Sequence, residues 1–244
     1  MENEVYKRPS CFSDRPNNFC PGCLHSSAWK VIGEVLDEMD LNEKTAWIAG
    51  VGCCANAHAY IDLDRMGIPH GRACAAASAF KRCNPETLLF TYQGDGDLAA
   101  IGLAETISAA NRGENFTVIF INNGTYGMTG GQLAPTTLLG ARTTTTPLGR
   151  NSEEHGYPLH MCEILNTLKA PGYIARVTTA DVANIRKAKQ AVRKAFQCQL
   201  DGKGFSFVEF VSNCPTNWGM TPQESLDHIH NTVLNEFPLG EFRG

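Results

Sequence analysis

No apolar run in the chain approaches the roughly 20 residues that a membrane-spanning helix needs. The opening stretch, MENEVYKRPS, has no apolar signal core. Both absences lead us to expect a soluble, cytoplasmic protein. Charge of either sign is also in short supply: 21 Lys and Arg against 25 Asp and Glu leave −4 over 244 residues. That mild balance argues against nucleic acid or an anionic membrane surface as a partner. Neither a Walker sequence nor GxGxxG is present, which leaves a nucleotide-binding protein as a weak reading. Internal repeats, low-complexity tracts and a convincing interdomain linker are missing too. With no export signal, the ten cysteines read less as disulfides than as ligands of a metal or cluster, at least in part.

What is present is a core-forming chain, with 43% hydrophobic residues and a length that suits one α/β domain over residues 1–244. Apolar spacing predicts a helix from about Ser27 to Met39, with Ile32, Val35, Leu36 and Met39 on one face. Short buried strands are expected at Thr45–Ala49, Thr87–Tyr92, Phe116–Ile121, Tyr173–Thr178 and Phe205–Val211. Helices are expected over HGRACAAASAFKR, Leu98–Arg112 and Asp181–Leu200, and a last one opens at the capping box Thr221-Pro-Gln-Glu224. Strands that are nearly all apolar, alternating with helices, predict a doubly wound, mostly parallel sheet covered on both faces. The segment from Asn122 to about Gly156 is loop-rich, and a loop of that length is usually functional or covered by a partner.

Two segments, TYQGDGD and IFINNGTYG, fall at the carboxyl ends of predicted strands, where ligands bind in such sheets. Gly94 and Gly96 allow phosphates to approach the backbone, and the helix beginning near Leu98 aims its amides at the same spot. Asp95 conflicts with this, because a carboxylate about 4 Å from a phosphate repels it by on the order of 4 kcal/mol at an effective dielectric of 20. A divalent cation removes the conflict: Mg²⁺ binds the Asp95 carboxylate, the Asn123 amide oxygen and phosphate oxygens together. Asp97 is placed to cap the helix. Asp95 as a plain turn residue is the alternative, and the NN pair at the end of the next strand weighs against it.

Cys20-Pro-Gly-Cys23 can bind zinc, join an iron–sulfur cluster or act as a redox dithiol. Cys53, in GVGC, and Cys214, in SNCPT, each follow a predicted strand and so share an edge of the sheet with Asp95. Four such thiolates suit Zn²⁺ or a [4Fe–4S] cluster, and spacing does not choose between them. Cys162 and Cys198 lie in helical patterns and read as small buried hydrophobes. Cys11, Cys74 and Cys83 fit no ligand pattern.

GDG, a helix, a strand and then NN resembles the thiamin diphosphate motif. More closely, GDGDLAAIGLAETISAANRGENFTVIFINNGTYGMTGGQ resembles the β subunit of 2-oxoacid:ferredoxin oxidoreductases, and FCPGC, GVGC, HGR, SNCPTNWGMTP and the terminal FPLGEF match the same family. The resemblance spans nearly the whole chain and implies a thiamin diphosphate-binding fold. It also implies that Asp95, Asn123 and the Thr125 carbonyl hold Mg²⁺. Tyr126, Gly127, Met128 and Thr129 would border the cofactor, with Gly52, Cys53, Cys54 and His70 nearby. Cys20, Cys23, Cys53 and Cys214 would ligate a [4Fe–4S] cluster; the GVGC match favours Cys53 over Cys54. Leu24, Cys74 and Ala79 stand where the family usually has glycine, proline and glycine, which puts substrate preference in doubt more than chemistry.

By the same resemblance the reaction is oxidative decarboxylation of a 2-oxoacid, with electrons leaving through the cluster to ferredoxin and the acyl group passing to coenzyme A. TNWGM and TTTTPLGR look most like enzymes for 2-oxoglutarate or branched-chain 2-oxoacids, less like those for pyruvate or indolepyruvate. Thiamin enzymes need a glutamate against the aminopyrimidine, and no recognisable motif supplies one. Glu105 and Glu114 are expected at the solvent, on a helix and at its end. The resemblance assigns that glutamate to an α subunit, and γ and δ subunits are further expected partners. A non-redox thiamin decarboxylase or synthase subunit, or a subunit that keeps the fold without turnover, are the alternative readings.

Overall fold

Five strands of five to seven residues are buried almost from end to end, which only a sheet covered on both faces allows. The computed structural model describes residues 6–244; the first five, part of the MENEVYKRPS stretch, lie outside the described residues. The strands are β1 (Thr45–Ala49), β2 (Asp64–Gly67), β3 (Leu88–Gly94), β4 (Thr117–Asn122), β5 (Thr125–Tyr126), β6 (Gln132–Leu133), β7 (Tyr173–Thr178), β8 (Ser206–Val211) and β9 (Gly240–Arg243). Seven form one sheet in the order β2-β1-β3-β4-β8-β7-β9, while β5 and β6 pair as a small separate ribbon. Every pairing in the sheet is parallel except β7 with β9.

Side chains alternate across the sheet. Trp47, Phe90, Ile119 and Val208 join the core under α1 (His25–Glu38) and α6 (Val182–Leu200). Ile48, Leu89, Val118 and Phe207 join the core under α2 (Ala73–Cys83), α3 (Leu103–Asn111) and α5 (Met161–Asn166). Cys162 and Cys198 are buried in these two cores, as their helical patterns suggest. Local signals set the helix starts. The Asp181 carboxylate accepts from Asn184 N at 2.9 Å ahead of α6. The complete Thr221–Glu224 capping box opens α8 (Pro222–His228).

The single helix expected over Leu98–Arg112 is instead a wide π-helical turn, Gly96–Ile101, followed by α3. Gly102 N reaches back to Asp97 O at 2.9 Å. A Cβ on Gly102 would stand 2.6 Å from both Asp97 O and Gly71 O, so the close approach of the Gly71 loop breaks the regular helix here. The expected cap is corrected as well. Asp95, not Asp97, stands at the N-cap and accepts from Gly96 N at 3.0 Å. Asp97 lies within the turn, its carboxylate drawn away by donors from three other segments.

The segment from Asn122 to Gly156 is nailed down from its centre. Buried Arg150 donates to the carbonyls of Pro135 (2.9 Å), His155 (3.1 Å), Gly156 (2.9 Å) and Tyr157 (2.7 Å), and also to that of Thr137. Parallel register brings the carboxyl ends of β1, β3, β4 and β8 to one edge, with Ala49 beside Tyr92, Gly94 beside Ile121 and Asn122 beside Val211.

Candidate active site

Beyond that edge lies a cavity of about 240 Å³. Its walls come from the loops that follow β1, β3 and β4 and from the HGR turn before α2. Gly52, Cys53, Cys54, His70, Gly94, Asp95, Gly96, Asp97, Asn123, Thr125, Tyr126, Gly127, Met128 and Thr129 all line it. Gly52 sits at φ +118°, in the region that favours glycine. A Cβ on Gly94 would meet nothing within 4 Å, so the backbone there faces open space. Gly96 lies under the Tyr126 ring, whose carbons would stand 2.8 and 2.9 Å from an added Cβ.

Asp95 is buried and receives Gly96 N at 3.0 Å, Thr125 N at 3.2 Å and Thr136 Oγ1 at 3.0 Å. Burial still outweighs these donors and raises its carboxyl to about 7. The Asn123 side-chain oxygen is placed 3.3 Å from Asp95 Oδ2 and 2.8 Å from Thr125 O. With the amide turned over, its nitrogen donates to both. With the oxygen inward, three oxygens converge and repel unless a cation stands among them. Octahedral Mg²⁺, with ligands at 2.0–2.1 Å, separates neighbouring oxygens by about 2.9 Å. The cradle fits that ion.

Asp97 is equally buried but fully partnered. It accepts from Val51 N (3.1 Å), Gly71 N (2.9 Å), His70 Nδ1 (2.6 Å) and Gln93 Nε2 (2.6 Å). It therefore ties the β1 loop, the HGR turn and β3 together, and it holds His70 by one ring nitrogen at the cavity wall.

The thiols gather at the same edge. Burial and neighbouring thiols raise Cys53 to about 11, with the nearby charges those of Cys214, Cys20 and Asp95. Burial pushes Cys23 up to about 12, where the charges of Cys214, Cys53 and Cys20 also act and the His25 amide opposes them. Burial raises Cys214 as well, while Asn217 Nδ2 donates to its Sγ at 3.1 Å and to Gly127 O at 3.0 Å. A Cβ on Gly127 would meet Cys53 Sγ at 3.3 Å and Cys214 Sγ at 3.5 Å. Half-buried thiols that resist ionisation when alone suit a thiophilic metal group, which binds them as thiolates. Among the described residues no three His, Cys, Asp or Glu side chains form a group tight enough for one metal ion. Cys54 stands apart from this set, buried and directed at Val51 O.

Three further side chains line the cavity: His25, Val51 and Ile101. His25 was legible in principle, since it shares the buried stripe of α1 with Trp29, Ile32 and Leu36 at spacings of four, three and four. It is almost fully buried, and desolvation lowers it to about 4. Glu114 departs from expectation: Arg82 and Arg112 hold it, and it is buried rather than solvent-exposed. Glu105 is half-buried against Arg72. No glutamate lines the cavity among the described residues.

Comparison with known proteins identifies the family and the fold. The family model "Thiamine pyrophosphate enzyme, C-terminal TPP binding domain" matches residues 44–210. The ketoisovalerate oxidoreductase subunit VorA of Methanothermobacter marburgensis is 46% identical over 241 residues, which is 99% of this chain and 50% of that protein. The 2-oxoglutarate synthase subunit KorB of Methanocaldococcus jannaschii is 35% identical over 206 residues, covering 84% of this chain and 72% of that protein. A solved structure of 2-oxoglutarate:ferredoxin oxidoreductase from Magnetococcus marinus, with 2-oxoglutarate, coenzyme A and succinyl-CoA bound, superposes with a TM-score of 0.79. Its sequence is 27% identical, with 95% of this chain and 74% of that one covered. The chain spans about half the length of the VorA relatives it matches. No helix among the described residues is long and apolar enough to cross a membrane. The chain belongs to the thiamine pyrophosphate enzymes, within the group that supplies the β-type subunits of 2-oxoacid:ferredoxin oxidoreductases.

Proposed function

We propose that this chain is the cofactor- and cluster-bearing subunit of a cytoplasmic 2-oxoacid:ferredoxin oxidoreductase, acting on a branched-chain 2-oxoacid such as 2-oxoisovalerate or on 2-oxoglutarate. The observation that carries the reading is the buried Asp95 carboxylate at the cavity wall, with no cation beside it among the described residues and with Asn123 and Thr125 next to it. Asp95, Asn123 and Thr125 would hold Mg²⁺, whose charge would offset that of the cofactor's diphosphate. Gly94 leaves the backbone open to the phosphates. Asp97 fixes His70 at the wall, and Tyr126 to Thr129, with Gly52, Cys53 and Cys54, border the rest of the cofactor. Thiamin diphosphate, when bound, supplies the carbanion chemistry that releases CO₂ from the 2-oxoacid. Cys20, Cys23, Cys53 and Cys214 would hold a [4Fe–4S] cluster, which would supply the electron path to ferredoxin, with coenzyme A as the acyl acceptor.

The two carboxylates in the cavity wall are already engaged, Asp95 with its donors and Asp97 with His70. The family resemblance assigns the glutamate that activates the cofactor to an α subunit, with γ and δ subunits completing the complex. The VorA likeness favours a branched-chain substrate. Anaerobically purified chain is expected to be brown, with about four iron per chain, and inactive without its partners. Stoichiometric zinc without iron would reject the electron-transfer role and favour a non-redox thiamin enzyme. Turnover of a 2-oxoacid with coenzyme A and an electron acceptor by the lone chain would reject the division of labour.

A further inference from the structure

The His25 ring is sandwiched at the border between the CPGC loop and the cavity. It stacks on Phe19, with ring centroids 4.8 Å apart at 11°. Its Nδ1 lies 2.8 Å from the hydroxyl of fully buried Tyr92. The Tyr92 hydroxyl has no other hydrogen-bond partner among the described residues, so its O–H is satisfied only by donating to Nδ1 as acceptor, and we assign that tautomer. The ring's own proton is then on Nε2. That N–H has no protein partner, yet His25 lines the cavity beside Cys53 and Cys54. The backbone amide of the same residue already acts on the Cys23 thiol. His25 thus brings its backbone N–H to a thiol of the cluster set, and its ring lines the cavity wall that Cys53 shares.

We propose that the Nε2–H of His25 donates a hydrogen bond to a sulfur of the cluster and thereby raises its reduction potential. This rests on the iron–sulfur reading above. A donor to a cluster sulfur stabilises the reduced state, in which more negative charge lies on sulfur. Tyr92 acts through His25 as a positioning residue, since its hydroxyl selects the tautomer that presents the donor. Nothing is transferred in this role.

The test uses the reconstituted holoprotein under anaerobic conditions, with potentials read by EPR-monitored titration. His25→Leu is expected to lower the equilibrium constant for cluster reduction about tenfold, a shift of about 59 mV to more negative potential for a one-electron couple. It should also abolish an exchangeable-proton hyperfine coupling on the reduced cluster. His25→Gln keeps an N–H near the position of Nε2 and is expected to retain both the coupling and most of the potential. Tyr92→Phe, which leaves His25 in place, is expected to give a smaller shift of the same sign; it carries the test if the leucine variant fails to fold. Cluster-loaded variants with unchanged potential and coupling would overturn the inference alone. So would unchanged potential with weakened thiamin diphosphate binding, which would assign the nitrogen to the cofactor. Equal shifts in the glutamine and leucine variants would overturn it too, as a packing effect. Wild-type protein that takes up no iron would overturn the iron–sulfur reading, and this inference with it.

Discussion

Two regions of the sheet bury a carboxylate and treat it in opposite ways. Glu209, on β8, is fully buried and faces Arg176 Nε at 2.9 Å and Asn122 Nδ2 at 2.8 Å. Arg176 is held in turn by Glu163 and lies 5.3 and 5.1 Å from the ring centres of Phe237 and Phe242. The buried Glu209 charge is met there by the protein's own Arg176. Asp95 is 3% exposed and has hydrogen bonds but no cation among its neighbours in the described residues, and burial raises it to about 7. The adjacent residues Asn122 and Asn123 point one into each region. A closed ion pair needs nothing from outside. A buried carboxylate that has donors but no cation beside it leaves room for a ligand that brings positive charge, and this contrast separates structural from functional burial better than burial alone.

Breaking the closed region should have the largest effect. Arg176→Met strands the Glu209 charge in the core and is expected to cost about 3–5 kcal/mol, read from the denaturant midpoint. A loss below about 1 kcal/mol would show that the pair is not what balances Glu209. In the open region, Asp95→Ala is expected to weaken Mg²⁺-dependent thiamin diphosphate binding at least about 100-fold, or about 2.7 kcal/mol, without destabilising the metal-free protein. Unchanged affinity in that variant would count against the ligand assignment.

The smallest of these effects concerns the pH dependence of stability, and it sharpens the contrast through His25. Its folded value of about 4 lies below the roughly 6.5 of an unfolded chain. Between those values the unfolded state binds the extra proton, so stability rises with pH. The contribution is fully present above about pH 6.5 and is lost as pH falls toward 4, amounting to about 2 kcal/mol between pH 6.5 and 5. Asp95 runs the other way, since a raised carboxyl favours the folded state at low pH and loses that contribution as pH rises through about 7. Comparing wild type with His25→Gln removes the shared Asp95 slope. A stability difference that stays flat from pH 4 to 6.5 would contradict the burial of a neutral imidazole.

Much of the fold was legible because a sheet covered on both faces writes itself as apolar runs. Thr45–Ala49 and Tyr173–Thr178 have the expected bounds, and the other three interior strands shift by one or two residues. The edges were not legible. Every residue of Asp64–Gly67 is exposed, so no burial pattern marks that strand. Gly240–Arg243 depends on its antiparallel partner β7 rather than on its own sequence. At the site, the GDGD and NN segments revealed themselves by placing charge and amides at strand ends. The separate tasks of Asp95 and Asp97 did not, because three donors distant in sequence, on Val51, His70 and Gly71, decide the second. Thr136 was hidden for the same reason, reaching Asp95 from 41 residues away.

The most direct test of the central claim, that the Asp95 cradle binds a dication bridging to the cofactor, needs no substitution. Thiamin diphosphate is titrated calorimetrically into the wild-type chain, once with Mg²⁺ and once with a chelator. The expected result is saturable binding at one site per chain with Mg²⁺ and an affinity at least about 100-fold weaker without it. Equal affinity under both conditions would contradict the account.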